Sequence, residues 1–160
     1  MGELLPLLIQ GAWVTLQVTI FGSLLAIVAA ILAALGRMSP WRPLRWFSVA
    51  YIEVFRGTSL LVQLFWLFFV LPLPPFNLEL SPYSVAIVGL GLHIGAYGAE
   101  VMRGAISSVA KGQYEASTAL NFSGYKRFRR IILPQALLAA IPPGTNLLIE
   151  LLKNTSLVSL

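Results

Sequence analysis

The chain has 160 residues, of which 58% are hydrophobic and only 11% are charged, and its mean hydropathy is +0.82. Soluble domains carry about 25% charged residues, so this balance excludes a soluble globular domain and a disordered chain. The absence of cysteine excludes a disulfide-stabilised secreted domain. The net charge of +5 comes from bases that flank long apolar segments. This arrangement predicts an integral membrane protein without a nucleic-acid partner.

Four uncharged intervals are each long enough to cross a bilayer, which takes about 20 apolar residues in a helix. Helices are expected because lipid cannot satisfy open backbone groups, and each interval is far longer than a barrel strand. A secretory signal peptide is a weaker explanation of the first interval, since no Lys or Arg precedes it. The intervals hold 33, 22, 20 and 19 residues and lie between Glu3 and Arg37, Arg56 and Glu79, Glu79 and Glu100, and Arg130 and Glu150.

The predicted fold class is all-α: a polytopic helical membrane protein with four complete spans, in a single domain over residues 1–160. The residues after Lys153 would rise only about 10 Å as a helix, which is too short to cross. We expect them to begin a fifth span, and we expect the chain to be incomplete at its C-terminal end.

The bases lie in alternate loops, which predicts the orientation. Ten of the eleven fall within residues 37–56 or 103–130, and Lys153 is the exception. Cytoplasmic loops carry such an excess, so residues 37–56 and 100–130 are expected inside and the amino terminus outside. Pro72, Pro74 and Pro75 are expected to end the second helix in an outer loop, because proline lacks the amide donor.

No catalytic site, metal site or cofactor is predicted. The phosphate-binding motif G-x-x-x-x-G-K-[ST] is missing, and a chain with no Cys, no Asp and one His is a poor zinc ligand set. The single histidine, His93, lies inside the third span, where an ionisable residue is a functional candidate. The alternative is a ring that is hydrogen-bonded across a helix interface.

The most specific segment is GQYEASTALNFSGYKRFRRIILPQA, residues 112–136. A short helix is expected over 115–120 and should end at Asn121, because asparagine reaches the left-handed conformation that often follows a helix. An interfacial helix on anionic lipid would explain the bases and aromatic rings that follow. It would not explain the compact E-A-S group, residues 115–117, whose small side chains let another surface approach closely.

This segment resembles the cytoplasmic signature of permease subunits of bacterial ATP-binding-cassette importers. The matching motifs are E-A-S-T-A-L-N and, after it, F-x-x-I-I-L-P. Three flanking segments resemble the branch that imports polar amino acids, and the resemblance covers most of the chain. They are RGTSLLVQLF (56–65), AEVMRGAISSVAKGQYEAS (99–117) and LLKNTSLVSL (151–160). The layout expected of the helices is therefore importer-permease-like.

The resemblance implies that the signature folds into a coupling helix, which docks in a cleft of a separate ATPase subunit. The implied coupling loop covers about residues 100–130. Where Ser117 and Asn121 stand, the family usually has alanine and glycine. By position, the coupling role falls on Gln113, Tyr114, Glu115, Ala116, Ser117, Leu120, Asn121 and Gly124.

The resemblance also implies the partners and the location. ATP would be bound only by the ATPase subunit, and the permease would pair with itself or with a sister permease. An extracytoplasmic solute-binding protein would deliver a polar amino acid or similar zwitterionic solute. The expected location is the bacterial cytoplasmic (inner) membrane, surrounded by lipid, with transport by alternating access.

Two spacings near the third span predict helix contacts. Glu100 and Arg103 stand three residues apart, which predicts a local ion pair. The resemblance implies that this pair also braces the loop that leads to the coupling helix. Gly91 and Gly95 form a G-x-x-x-G pair, which suits either packing within one chain or a dimer interface.

Asn146 and Glu150 share one face of the fourth span near its outer end. Together with His93 they are candidates for a solute pathway, because a carboxylate and an amide there could meet the polar groups of a solute. The alternative is that Glu150 marks the membrane boundary and pairs with Lys153.

Two other function classes stay open on residues alone. A gradient-driven carrier or channel needs ionisable residues within the membrane, and the absence of mid-span acids counts against it. A membrane-anchored scaffold would show no transport. ATP-dependent uptake into vesicles separates all three classes.

Overall fold

A computed structural model describes residues 4–159 as a bundle of helices. The helices are α1 (Leu4–Met38), α2 (Arg42–Gly57), α3 (Leu60–Phe65), α4 (Pro82–Ser107), α5 (Lys111–Ala119), α6 (Gly124–Arg127) and α7 (Leu133–Asn154). A π-helical turn, Trp66–Val70, continues α3, a second, Phe128–Ile132, joins α6 to α7, and a 3-10 turn, Thr155–Ser159, follows α7. No strand occurs in this part of the chain, and the predicted all-α fold class is confirmed. Two expected boundaries, Glu3 and Leu160, lie outside the described residues.

The most extensive helix contact is between α1 and α4, and small residues allow the two helices to approach closely. Leu25 lies against Gly91 and Ala29 lies against Gly95. Residue numbers therefore increase in the same direction along both helices, and the helices run parallel. A Cβ atom added at Gly95 would stand 2.7 Å from the Cβ of Ala29, well inside van der Waals contact. The G-x-x-x-G pair therefore packs within the chain.

We predict that Gly95→Ala destabilises the fold by about 1–3 kcal/mol, because the added methyl group must push α1 away from α4. Gly104→Ala is the matched control on the same helix, since an added Cβ there meets nothing within 4 Å. That control should be neutral or slightly stabilising. Thermal unfolding of both variants in detergent measures the difference. Equal unfolding temperatures would show that the contact between α1 and α4 is not tight.

The second predicted span, between Arg56 and Glu79, contains α3 and its π-helical turn, and a sharp bend separates them from α2. The axes of Arg42–Gly57 and Leu60–Val70 meet at 108°. Thr58 and Ser59 between them have extended backbones. Within the predicted interval the helix begins at Leu60, and it ends just before Pro72, as predicted.

The helix α2 itself was missed, because residues 37–56 were expected to form a loop. Charged and apolar side chains alternate around α2 with helical spacing, so no uncharged run marks it in the sequence. It packs on the ends of α1 and α4: Ile52 contacts the cluster of Ala33, Ala34 and Ala99.

The main core lies between α1, α3, α4 and α7, and α7 runs antiparallel to α4. Near one end of the bundle, the side chain of Leu151 lies against Gly22. Near the other end, Ile132 packs against Ala105 and Val109. The buried members of the main core are Val18, Ala26, Leu60, Leu64, Val85, Ala86, Leu90, Ile94 and Leu151.

Three helices are long and apolar enough to cross a membrane: Leu5–Met38, Pro82–Ser107 and Gly124–Val158. The bent pair makes a fourth crossing if its two helices count as one span. The predicted total of four is reached only in that way. The residues expected to begin a fifth span form a 3-10 turn, Thr155–Ser159, that follows α7.

Candidate functional site

The carboxylate of Glu100 on α4 forms ion pairs with three arginines, one each from α1, α2 and α4. Its neighbour Arg103 donates from Nε to Oε2 at 2.9 Å, which agrees with the predicted ion pair. Arg37, at the end of α1, donates to Oε1, and Arg56, at the end of α2, has Nη1 3.9 Å from Oε2. The side chain of Glu100 is only 15% exposed, so these ion pairs are partly shielded from water. We call these four residues the charged hub.

The charged hub lies at the end of the bundle where α4 leads into α5. Residue spacing predicted only the contact between Glu100 and Arg103. Arg37 and Arg56 are distant from Glu100 along the chain, and only the packing of α1 and α2 on α4 brings them together. The sequence feature that could have indicated this ion pairing is the position of Arg37 and Arg56 in the last turns of their helices.

The end of α5 confirms the prediction that Asn121 terminates this helix. Its φ of 54° lies in the left-handed region. The amide of Asn121 donates to the carbonyl of Thr118, and the amide of Phe122 donates to the carbonyl of Ser117. These two bonds form the motif that commonly closes a helix with glycine at this position. Asparagine therefore adopts here the left-handed conformation for which glycine is the usual residue.

The inner face of α5 is anchored to the bundle. Tyr114 packs against the cluster of Ala105 and Val109 from α4 and Ile132 from α7. Ser117 is fully buried and donates its hydroxyl hydrogen to the carbonyl of Tyr114 at 2.7 Å. Buried in this way, the Ser117 side chain cannot contact a partner protein, and its small size serves the packing of α5.

The outer face of α5 is free of contacts with the bundle. Glu115 and Ala116 are exposed, and the apolar side chain of Leu120, directly after the helix, is 68% exposed. Asn121 and Gly124 are exposed beside them. Gln113 is also exposed, and its Oε1 accepts a hydrogen bond from Gln135 at 3.4 Å. Six of the eight residues predicted for coupling are therefore exposed.

The bases after α5 hold the segment together. Arg127 donates from Nη1 to the hydroxyl of Thr118 at 2.9 Å, which ties α6 to α5. The ammonium of Lys126 lies 4.7 Å from the centroid of the Phe122 ring, within the range of a cation–π contact. The interpretation of these bases as lipid-binding groups missed both contacts, because each depends on the fold of the turn at 120–123.

A second polar cluster lies at the break between α2 and α3. The amide nitrogen of Gln63 donates to the carbonyl of Phe55 at 2.9 Å and to the hydroxyl of Thr58 at 2.7 Å. Its carbonyl oxygen faces Nδ1 of His93 at 3.0 Å. His93 is buried, with its ring 5.2 Å from that of Tyr97. The expectation of a ring hydrogen-bonded across a helix interface agrees with this geometry, while Gln63 was missed.

Asn146 and Glu150 are exposed on α7. No hydrogen bond joins Glu150 to the His93 ring on α4, whose Nδ1 faces Gln63. Within residues 4–159, Glu150 forms no ion pair with Lys153. The alternative prediction, that Glu150 pairs with Lys153 at the membrane boundary, was therefore wrong about this pair.

The chain was compared with known families and proteins. The sequence profile described as "Binding-protein-dependent transport system inner membrane component" matches residues 22–160. The chain is 49% identical, over 155 residues, to the Probable amino-acid ABC transporter permease protein y4tF of Sinorhizobium fredii, covering 94% of this chain. It is 43% identical, over 154 residues and 96% of its length, to the L-cystine transport system permease protein TcyB of Bacillus subtilis.

The chain spans 65% of the length of each of these two relatives. A solved structure, described as the crystal structure of an amino acid ABC transporter with histidines, superposes with a TM-score of 0.93 at 33% identity. That match covers 99% of this chain and 73% of the other. The profile match and the sequence identities show that the chain belongs to the family of binding-protein-dependent transport system inner membrane components.

Proposed function

We propose that the chain is the permease part of an ATP-driven importer that moves a polar amino acid or similar zwitterionic solute into the cell by alternating access. ATP is hydrolysed on a separate cytoplasmic ATPase subunit. The permease pairs with itself or with a sister permease, and an extracytoplasmic solute-binding protein delivers the solute. The amino-acid transport named for the relatives supports the class of solute.

This proposal depends on one observation, namely which side of α5 packs against the bundle and which side is exposed. Its inner face is anchored at Tyr114 and Ser117, while Glu115, Ala116 and Leu120 stand exposed on the other side. A rigid helix with an exposed apolar residue and small neighbours suits docking into a cleft. Because α5 joins α4 to α6 and α7, a force on α5 reaches two spans directly.

Uptake into vesicles tests the function. The full-length permease, co-expressed with its ATPase subunit, is reconstituted with ATP inside and the binding protein and labelled amino acid outside. We expect uptake that requires ATP and persists when ionophores collapse the ion gradients. Uptake that follows a gradient without ATP would instead identify a carrier, and no uptake under either condition would favour the scaffold.

We propose that Glu150, Asn146 and His93 line the solute pathway. Glu150→Gln should weaken uptake by about 1.5–3 kcal/mol in apparent affinity, because a hydrogen bond to a charged group is lost. Glu79→Gln is the matched control, since Glu79 is an exposed carboxylate in the loop before α4. The initial rate of uptake against solute concentration measures both variants, with ATPase binding as the check on assembly. An unchanged half-saturating concentration in Glu150→Gln would remove Glu150 from the pathway.

We propose that the charged hub faces the cytoplasm and the amino terminus faces outward, as the distribution of bases indicates. Ser108, just after α4, gives a test, because the chain has no cysteine. A cysteine at Ser108 should resist an impermeant thiol reagent in intact cells and react after permeabilisation. Labelling in intact cells would reverse the orientation.

A further inference from the structure

The side-chain amide of Gln63 can face its neighbours in only one orientation. On one side lies the backbone carbonyl of Phe55, 2.9 Å from the Gln63 nitrogen, and a carbonyl oxygen can only accept a hydrogen bond. The carbonyl of Thr58, at 3.3 Å, lies on the same side. Turning the amide over would set the Gln63 oxygen, Oε1, against these two oxygens. The nitrogen therefore faces α2 and the break, and Oε1 faces α4.

This orientation determines which nitrogen of the His93 ring carries a hydrogen. Nδ1 lies 3.0 Å from Oε1 of Gln63, which can only accept. Nδ1 must therefore donate. In a neutral ring the other nitrogen, Nε2, then has no hydrogen and offers a lone pair. The contact with Gln63 thus makes Nε2 of His93 a hydrogen-bond acceptor.

Nε2 is open to a ligand, although His93 as a whole is only 6% exposed. Within residues 4–159, Nε2 makes no hydrogen bond, and no enclosed side-chain nitrogen or oxygen lacks a partner. Nε2 must therefore be reached from the surface of the chain. The hydroxyl of Tyr97, one turn along α4, does not occupy it, because that hydroxyl donates to the carbonyl of Arg56. The lone pair of Nε2 is left for a donor from outside the chain.

His93 lies at the depth of the two polar residues of α7. The side chain of Leu151 and the carbonyl of Ile87 lie beside the same glycine of α1, so these two residues are at one level. α4 and α7 run antiparallel and rise equally per residue. His93 is therefore level with a position about six residues before Leu151, next to Asn146 and about one turn from Glu150.

We infer that Gln63 is a positioning residue for solute specificity, an inference that rests on the proposed function. Gln63 holds His93 with its hydrogen on Nδ1, so that Nε2 accepts a hydrogen bond from the ammonium group of an amino acid. Bonds with a charged donor are the stronger ones, and the carboxylate of Glu150 near this depth favours the same charge. A carboxylate solute that lacks the amino group offers no donor to Nε2 and is rejected.

Nitrogen NMR of the histidine ring reads the position of the hydrogen. The full-length permease, assembled with its ATPase subunit, carries isotope-labelled histidine, and the His93 signals are identified by their loss in His93→Gln. We expect a protonated Nδ1 and an unprotonated Nε2. An unprotonated Nδ1, or a hydrogen on Nε2, would overturn the inference.

Two variants separate this role from the support that Gln63 gives to the break. Gln63→Leu should lose the preference for a hydrogen on Nδ1, because no acceptor then faces that nitrogen. Thr58→Val is the matched control, since it removes one bond of Gln63 and leaves Oε1 facing Nδ1. It should keep the hydrogen on Nδ1. The same ring signals in Gln63→Leu as in the unaltered chain would show that Gln63 does not set them.

Adding solutes tests the role of Nε2. A mixture of the common L-amino acids should shift the Nε2 signal, because the lone pair gains a donor, and the matching carboxylic acids without the amino group should not. The affinity obtained from this shift should weaken roughly tenfold or more in Gln63→Leu and stay unchanged in Thr58→Val. An Nε2 signal that ignores amino acids while ATP-dependent uptake persists would overturn the inference and leave the proposed function standing. Absence of ATP-dependent uptake would overturn the proposed function itself.

Discussion

Replacing Glu100 by glutamine is expected to lower the free energy of unfolding by about 2–3 kcal/mol and to loosen α1 and α2 from α4. The variant keeps the size of the side chain but leaves three guanidinium groups without their shared anion. Exposed ion pairs contribute about 0–1 kcal/mol, and breaking a fully buried pair costs about 3–5 kcal/mol. The charged hub lies between these limits, because Glu100 is mostly shielded and its partners are more exposed.

Thermal unfolding in detergent measures this effect, and Glu53→Gln provides the control. Glu53 is an exposed carboxylate on α2 without an ion pair in the described part of the chain. Double-mutant cycles that combine Glu100→Gln with Arg37→Gln, or with Arg56→Gln, separate the two contacts between helices. Coupling energies near zero for both pairs would show that the hub does not hold the helices together.

Ala116→Leu and Glu115→Lys are each expected to abolish co-purification of the ATPase subunit, or to uncouple solute-stimulated ATP hydrolysis. Both residues lie on the exposed face of α5, so neither change disturbs the packing of Tyr114 and Ser117 beneath it. A docked surface resists added volume at a cost of typically 1–3 kcal/mol. A reversed charge adds repulsion or an unpaired group at the same contact. Membrane insertion of the permease should be unchanged.

Arg130→Gln is the control for this pair of variants, because Arg130 is exposed, lies outside α5 and has no side-chain partner within residues 4–159. Arg127 would be a poor control, since its bond to Thr118 holds α6 against α5. If Ala116→Leu and Glu115→Lys retain full ATPase binding and stimulation, α5 is not the docking helix.

Local features of the fold could be predicted from the sequence. Asn121 was identified as a helix terminator from its backbone preference, and the charge-free intervals located α1, α4 and α7. Each of these inferences depends on neighbouring residues and on the solvent that surrounds them. The spacing of Glu100 and Arg103 likewise predicted their ion pair.

Features that depend on long-range packing could not be predicted. α2 is a different case: its amphipathic pattern is a local signal, which a search for uncharged intervals alone overlooks. The meeting of Arg37 and Arg56 at Glu100 requires the relative placement of three helices. Ser117 was assigned to a partner surface by position along α5, but the rotation of α5 against the bundle buries it. A short helix of low amphipathicity does not reveal which face is turned inward.

The hydrogen bonds of Gln63 determine how movement can pass through the bent pair. One side chain donates to the carbonyl of Phe55 at the end of α2 and to Thr58 in the break, while it faces His93 on α4. These bonds hold the angle between α2 and α3, because rotating either helix alone must stretch them. We therefore expect a displacement of α2 to be transmitted through Gln63 to His93 on α4. The bonds of Gln63 thus connect α2, whose last turn carries Arg56 of the charged hub, with the middle of α4.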